Sequence, residues 1–345
     1  MNVSRRTLLR GGLAVAGGGL FAACSGRPGG SGIVVPTPTP LAPRSGQSLV
    51  TKTLTARPAT LDLGGPTVST WAYDDVLPGP LVRATAGDLV RITVDNKLPV
   101  ETSVHWHGIA LHNAADGVPG LTQKAVTSGR QFTYEFVAPD PGTYFYHPHV
   151  GVQLDRGLYA PLIIDDPNEP GAYDAEWIVV LDDWIDGTGT TPDDVLADLM
   201  APGQSSGGMH MGGMDGMGGM GGGSPFGDAG DVTYPHFLIN GRVGAAPDVL
   251  RAKPGQRVRI RVINAAADTI FAVALGDHRM TVTHTDGFPV QEQEAGAFYI
   301  GMGERYDVVV TLADGVFPLV AKPIGKDGAA LAVVRTGSGP IPTPA

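Results

Sequence analysis

The 345-residue chain carries two His-x-His pairs, His105-Trp106-His107 and His147-Pro148-His149. Each pair falls in a run that reads as a β-strand. Side chains alternate faces along a strand, so residues i and i+2 share one. Both imidazoles of each pair therefore project the same way. Two such pairs facing each other surround a small volume with four neutral imidazoles. Imidazole is a ligand for copper, zinc, iron or nickel, so the spacing points to a metal site. A single pair would read equally well as two half-buried histidines bonded to carbonyls. Two pairs, drawing on four of the nine histidines, favour the metal.

A second candidate is Met209-His210-Met211, continuing through Met214, Met217 and Met220 among glycines. Thioethers are soft ligands suited to Cu(I). The other reading is a low-complexity linker. His278 and His284 fall in apolar-alternating runs and read as core or interdomain residues. His112 and His236 carry no assignment.

The elements that hold these residues are strands. The chain has 50 Gly and 29 Pro, with 17% of residues charged. That composition favours short strands and turns over long helices. Thr191–Met200 is the best candidate for a helix. An internal repeat is visible: LVRATAGDLVRITVDN at 81–96 and VLRAKPGQRVRIRVIN at 249–264 agree at eight of sixteen positions. Each copy reads as strand, turn at Gly, strand. The chain is therefore expected to be all-β, built from two copies of one sandwich unit. At the same offset, His105 and His107 fall on Val273 and Leu275. Aligning Gly142 with Gly315 sets Val320 and Lys322 opposite His147 and His149. The second copy thus lacks the ligands, and folding of the unit does not require them.

The first residues read as targeting signal rather than fold. Arg5-Arg6 precede an apolar run from Gly11 to Ala23 that is too short to span a bilayer. The segment resembles a twin-arginine export signal over 1–23. Ala22-Ala23-Cys24 resembles a lipoprotein processing site, with Phe21 where that pattern usually has Leu. Cys24 is the only cysteine. Residues 24–46, rich in Gly, Ser, Pro and Thr, read as a disordered linker. The expected location is periplasmic or cell-surface, held to the outer face of the cytoplasmic membrane by a lipid alone. The formal charge of −10 becomes −13 without Arg5, Arg6 and Arg10. Nucleic acid needs a basic face and is not an expected partner; an acidic chain is compatible with gathering metal cations.

The stretches HWHG at 105–108, GTYFYHPHVG at 142–151, LPGPL at 77–81, FLINGR at 237–242 and GERYDV at 303–308 resemble the multicopper oxidases. The similarity is greatest to laccase-like, actinobacterial lipoproteins of copper resistance. It runs from about Ser48 to Thr336. It implies two tandem cupredoxin-like Greek-key β-sandwiches, at 47–170 and 171–337. The Met/Gly-rich loop, about 201–231, interrupts the second, and a linker-like tail follows at 338–345. It implies His105 as a type 2 copper ligand and His107, His147 and His149 as type 3 ligands. Asp116 matches an acid that relays protons in the family, though Asp116-Gly117-Val118-Pro119-Gly120 is also strong turn chemistry. A third cupredoxin domain of the complete enzyme is expected to be missing. With it would go four cluster histidines and the type 1 thiolate. The expected function is the two-domain portion of an exported, O₂-reducing copper oxidase, inactive alone, for Cu(I) or phenol-type substrates. The third domain would be lost from the gene or supplied as a separate chain. The alternative is a non-enzymatic copper-binding lipoprotein.

Overall fold

The computed structural model describes residues 41–169, 171–201 and 230–341. Residues 1–23, expected to be an export signal, together with Cys24, the five clustered methionines, His210 and the end of the tail, lie outside the described residues.

The first sandwich packs two four-stranded sheets. One orders Thr67–Tyr73, Leu49–Asp62, Leu89–Asn96 and Gln131–Val137. The other orders Val82–Thr85, Ala160–Asp165, Gly142–His147 and His105–His107. Alternation explains the pairing of faces. In Leu89–Asn96, Val90, Ile92 and Val94 are fully buried, and they meet Trp106, Tyr134, Phe136 and Tyr146 in one core. The second sandwich packs a seven-stranded sheet against a five-stranded one. Its core contains Val258, Ile260 and Val262, the repeat counterparts of that strand.

The repeat is structural down to its hydrogen bonds. Asn96 is fully buried; its amide donates to the carbonyls of Val100 and Val126, and its oxygen accepts from Leu98 N. Asn264, at the same place in the second copy, donates to Thr269 O and Ile300 O and accepts from Ala266 N. An asparagine ends each strand because it satisfies the backbone where the ladder stops.

One expected correspondence is off by a residue. Val273 and Leu275 point into the core, as Trp106 does. The partner of Val320 is Ala274, and Gly276 bonds to Pro318 O. His105, which pairs with His147, therefore corresponds to Ala274, and His107 to Gly276. A one-residue slip swaps faces, and the offset carried from the repeat did not include it. The second copy still offers no ligand at these places.

Thr191 caps the helix Pro192–Met200 through a capping box with Asp194, with Pro192 in the first turn. That helix is where the sequence placed it. His278 is not on a strand as expected. It sits in the turn after Phe271–Leu275, bonded to Gly276 O and accepting from Ala313 N.

The two sandwiches share buried ground. Phe145 and Tyr159 of the first pack with Val180, Ile263 and Ala265 of the second. Beside them runs a buried ionic clamp. Thr143 Oγ1 donates to Asp307 Oδ1 at 2.6 Å and accepts from Arg261 Nη1 at 2.9 Å. Asp307 also pairs with Arg259 at 2.6 Å, and Arg261 pairs with Glu176 at 2.7 Å.

Candidate metal centre

His105–His107 is an edge strand, paired antiparallel with Gly142–His147. Trp106 between the two histidines is fully buried and packs on Tyr134, Phe136 and Tyr146. Burying that indole turns both imidazoles to the outer face, where His147 joins them. The strand ends at His147, so His149 reaches the group from beyond it, its N–H donating to Ser103 Oγ at 3.0 Å. The structure therefore brings the four histidines together. Ring centroids of His105 lie 5.9 Å from His107, 5.6 Å from His147 and 4.5 Å from His149.

Hydrogen bonds fix which nitrogens face inward. A carbonyl only accepts, so a ring nitrogen bonded to one carries the proton. His105 Nδ1 donates to Asp116 O at 2.8 Å, and the Asp116 carboxylate stands 3.3 Å from the same nitrogen. His147 Nδ1 donates to Pro148 O at 3.0 Å. Both rings are left with a bare Nε2. His107 turns its Nδ1 to His147 Nε2 at 3.1 Å, and without a metal it supplies the proton between them.

Burial, and then the neighbouring charge of His147 and Arg305, pushes His107 down to about 3. Burial does the same to His147, also to about 3. His149 is lowered as well, chiefly by burial. These rings are held neutral, the form that binds metals. Phe145 stacks on His107 at 4.3 Å between centroids. Gly303 of the second sandwich closes the other side; a Cβ there would stand 2.9 Å from His107 Cε1 and 3.0 Å from Nε2.

The donor chemistry fits copper, since four neutral imidazoles are borderline-soft nitrogen ligands. Among the described residues, no three His, Cys, Asp or Glu side chains close on a single ion position. One pair of ring nitrogens, His107 Nδ1 and His147 Nε2, comes within 3.1 Å.

Asp116, expected from sequence, stands at the site beside His105. His112 bonds instead to Glu135 O, and His284 to Thr283 Oγ1. Spacing alone did not reveal Phe145, Gly303 or Arg305 as walls of the site. The GERYDV stretch that contains two of them was the available signal.

The multicopper oxidase family matches residues 55–169 and again 176–339. The chain is 51% identical to the multicopper oxidase MmcO of Mycobacterium tuberculosis, across 99% of this chain and 68% of that protein. It is 32% identical to copper resistance protein A of Escherichia coli, across 76% of this chain and 46% of the other. It thus spans about two thirds of the first relative and about half of the second. Among solved structures, the blue copper oxidase of Nitrosomonas europaea superposes with a TM-score of 0.65 at 26% identity, covering 84% of this chain and 86% of that one. A laccase of Botrytis aclada gives 0.69 at 26% identity, covering 86% and 55%. With cupredoxin-like sandwiches, paired histidines and these relatives in agreement, the chain belongs to the multicopper oxidase family, whose metal is copper.

Proposed function

We propose that His105, His107, His147 and His149 hold copper as one half of a trinuclear cluster, His105 at the type 2 position and the others at type 3. The observation that carries this is the facing pair of His107 Nδ1 and His147 Nε2 at 3.1 Å, inside a ring of four imidazoles. Copper in the complete cluster would supply the four-electron reduction of O₂ to water, fed by oxidation of Cu(I) or a phenol-type substrate. The chain's own residues set the stage for it. Asp116 O holds His105 with Nε2 inward, and the partly exposed Asp116 carboxylate beside it would carry protons between solvent and a bound cluster. Pro148 O and Phe145 hold His147 and His107 in place.

A blue copper site needs a thiolate. The sequence has one cysteine, Cys24, within the proposed lipoprotein signal. In this reading the thiolate and the remaining cluster histidines come from a further cupredoxin domain, on the same polypeptide or a separate one. The relatives named for copper resistance support a role in copper defence. The protein is proposed to leave the cell interior by the twin-arginine route and to be lipid-anchored through Cys24. Met209, Met211, Met214, Met217 and Met220 are proposed as Cu(I) ligands.

The test is to load the chain with Cu(II) and record electron paramagnetic resonance, the visible spectrum and O₂ uptake with Cu(I) or a phenol. Nitrogen-coupled copper, no intense blue band and no turnover are expected. Turnover or a thiolate band would refute the need for a further domain. Absence of nitrogen-coupled copper would refute the site.

A further inference from the structure

We propose that Arg305, from the second sandwich, is a positioning residue for His107, fixing which nitrogen that imidazole offers to the metal; this rests on the copper reading above. A buried cation beside a cation site calls for a reason, and the geometry gives one. Arg305 is 4% exposed. Its Nε donates to Thr143 O at 3.2 Å, on the strand that ends in His147. Its Nη1 donates to Gly303 O at 2.9 Å, the residue lying against His107. Its tip fills the space beside Gly108, the residue after His107. Gly108 has φ +84°, and a Cβ there would collide with the guanidinium. Asp286 pairs with the same nitrogen, its Oδ1 3.1 Å from Nη1 and accepting from Arg305 N at 3.1 Å.

One planar fork therefore bonds the Thr143 strand to the Gly303 loop and packs against the Gly108 turn, three backbone segments around a single imidazole. His107 is left between the Phe145 ring and Gly303, with Nδ1 directed at His147. Only a guanidinium offers donors in several fixed directions; an ammonium is a point charge on a flexible stem. Groups bonded directly to a metal ligand typically matter about 10–100-fold in metal affinity; Arg305 acts one contact further out, at the low end of that range. The second sandwich thus sets the aim of a ligand that the first sandwich supplies.

The test is a double-mutant cycle on the full chain. Cu(II) affinity is measured by chelator competition for Arg305→Lys, His107→Ala and the pair, with ¹⁵N spectra of the metal-free His107 ring. Arg305→Lys is expected to weaken Cu(II) roughly tenfold alone and less than about twofold when His107 is already alanine. The ring should change from one tautomer, protonated at Nδ1, to a mixture. Equal weakening in both backgrounds, or an unchanged tautomer, overturns the proposal and leaves Arg305 a support of the fold. If Arg305→Lys does not fold, Asp286→Asn, which removes the charge that holds the Arg305 guanidinium, enters the same cycle and is read by the same outcomes. If His107→Ala alone leaves Cu(II) binding unchanged, the copper reading itself fails, and this inference with it.

Discussion

His107 Nδ1 and His147 Nε2 face each other at 3.1 Å across adjacent strands. They are not direct cross-strand partners: His147 pairs with His105, and His107 with Phe145. The contact is diagonal, which the twist of an edge pair permits. An ion about 2.0–2.1 Å from each nitrogen, the usual metal–imidazole distance, can touch both.

Such an ion must displace the proton now shared by the two rings. We therefore expect Cu(I) or Ag(I) to move the His107 proton from Nδ1 to Nε2. Both ions are diamagnetic, so ¹⁵N spectra of the loaded chain read this directly. A His107 ring still protonated at Nδ1 after loading would show that the pair is a structural hydrogen bond.

The clamp between the sandwiches should be stability-critical. Asp307 is 1% exposed and compensates Arg259 and Arg261, both nearly buried. Asp307→Ala leaves two buried guanidinium groups short of a counter-charge, a loss of about 3–5 kcal/mol. Thr143→Val removes one hydroxyl from the same network and should cost about 1–3 kcal/mol. Urea unfolding measures both; losses below 1 kcal/mol would mean the clamp relaxes around water.

The turn behind His105 admits no side chain. Gly117 has φ +81°, and a Cβ there would collide with the carbonyl of Val104, next to His105. Gly129 has φ +73° but open space around it. Gly129→Ala should cost about 1–2 kcal/mol from backbone strain alone. Gly117→Ala should cost more and should also weaken copper by shifting Asp116 off His105. Equal melting points and equal copper affinity for the two variants would contradict this.

The His-x-His pairs, the internal repeat and the capped helix at Thr191 were legible in the sequence because each is local. Strand alternation alone sends His105 and His107 to one face, and Thr191-Pro192 with Asp194 is a complete helix start. What the sequence hid depends on distant residues meeting. Arg305 lies 198 positions from His107, and no periodicity relates them. The shift from Val273 to Ala274 was hidden for another reason. Matching residues fix a repeat well within a strand but not through the loops between, and one residue there reverses the faces.

Asp155 gives a pH prediction. Burial, with the negative charge of Asp183, Asp268 and Asp186 added, raises its carboxyl to about 7 from 3.8, and its Oδ1 is buried with no hydrogen-bond partner. An acid with a raised native pKa binds its proton more tightly when folded. Its contribution is whole below about pH 4 and is lost as pH rises through about 7. Asp155→Asn removes this loss. Relative to the parent, the variant should gain stability steadily from pH 4 to 8, on the order of 2–4 kcal/mol in all. Urea midpoints that run parallel over that range would contradict the assignment.

If the first sandwich holds copper on its paired histidines, Cu(II) bound per chain depends on those rings. His105→Ala combined with His147→Ala should lower the copper bound, in protein shown to be folded. His278→Ala combined with His284→Ala should leave it unchanged, since those rings bond to Gly276 O and Thr283 Oγ1 in the second sandwich. Equal loss from the two double variants, or no loss from the first, would show that the paired histidines of the first sandwich are not the copper ligands.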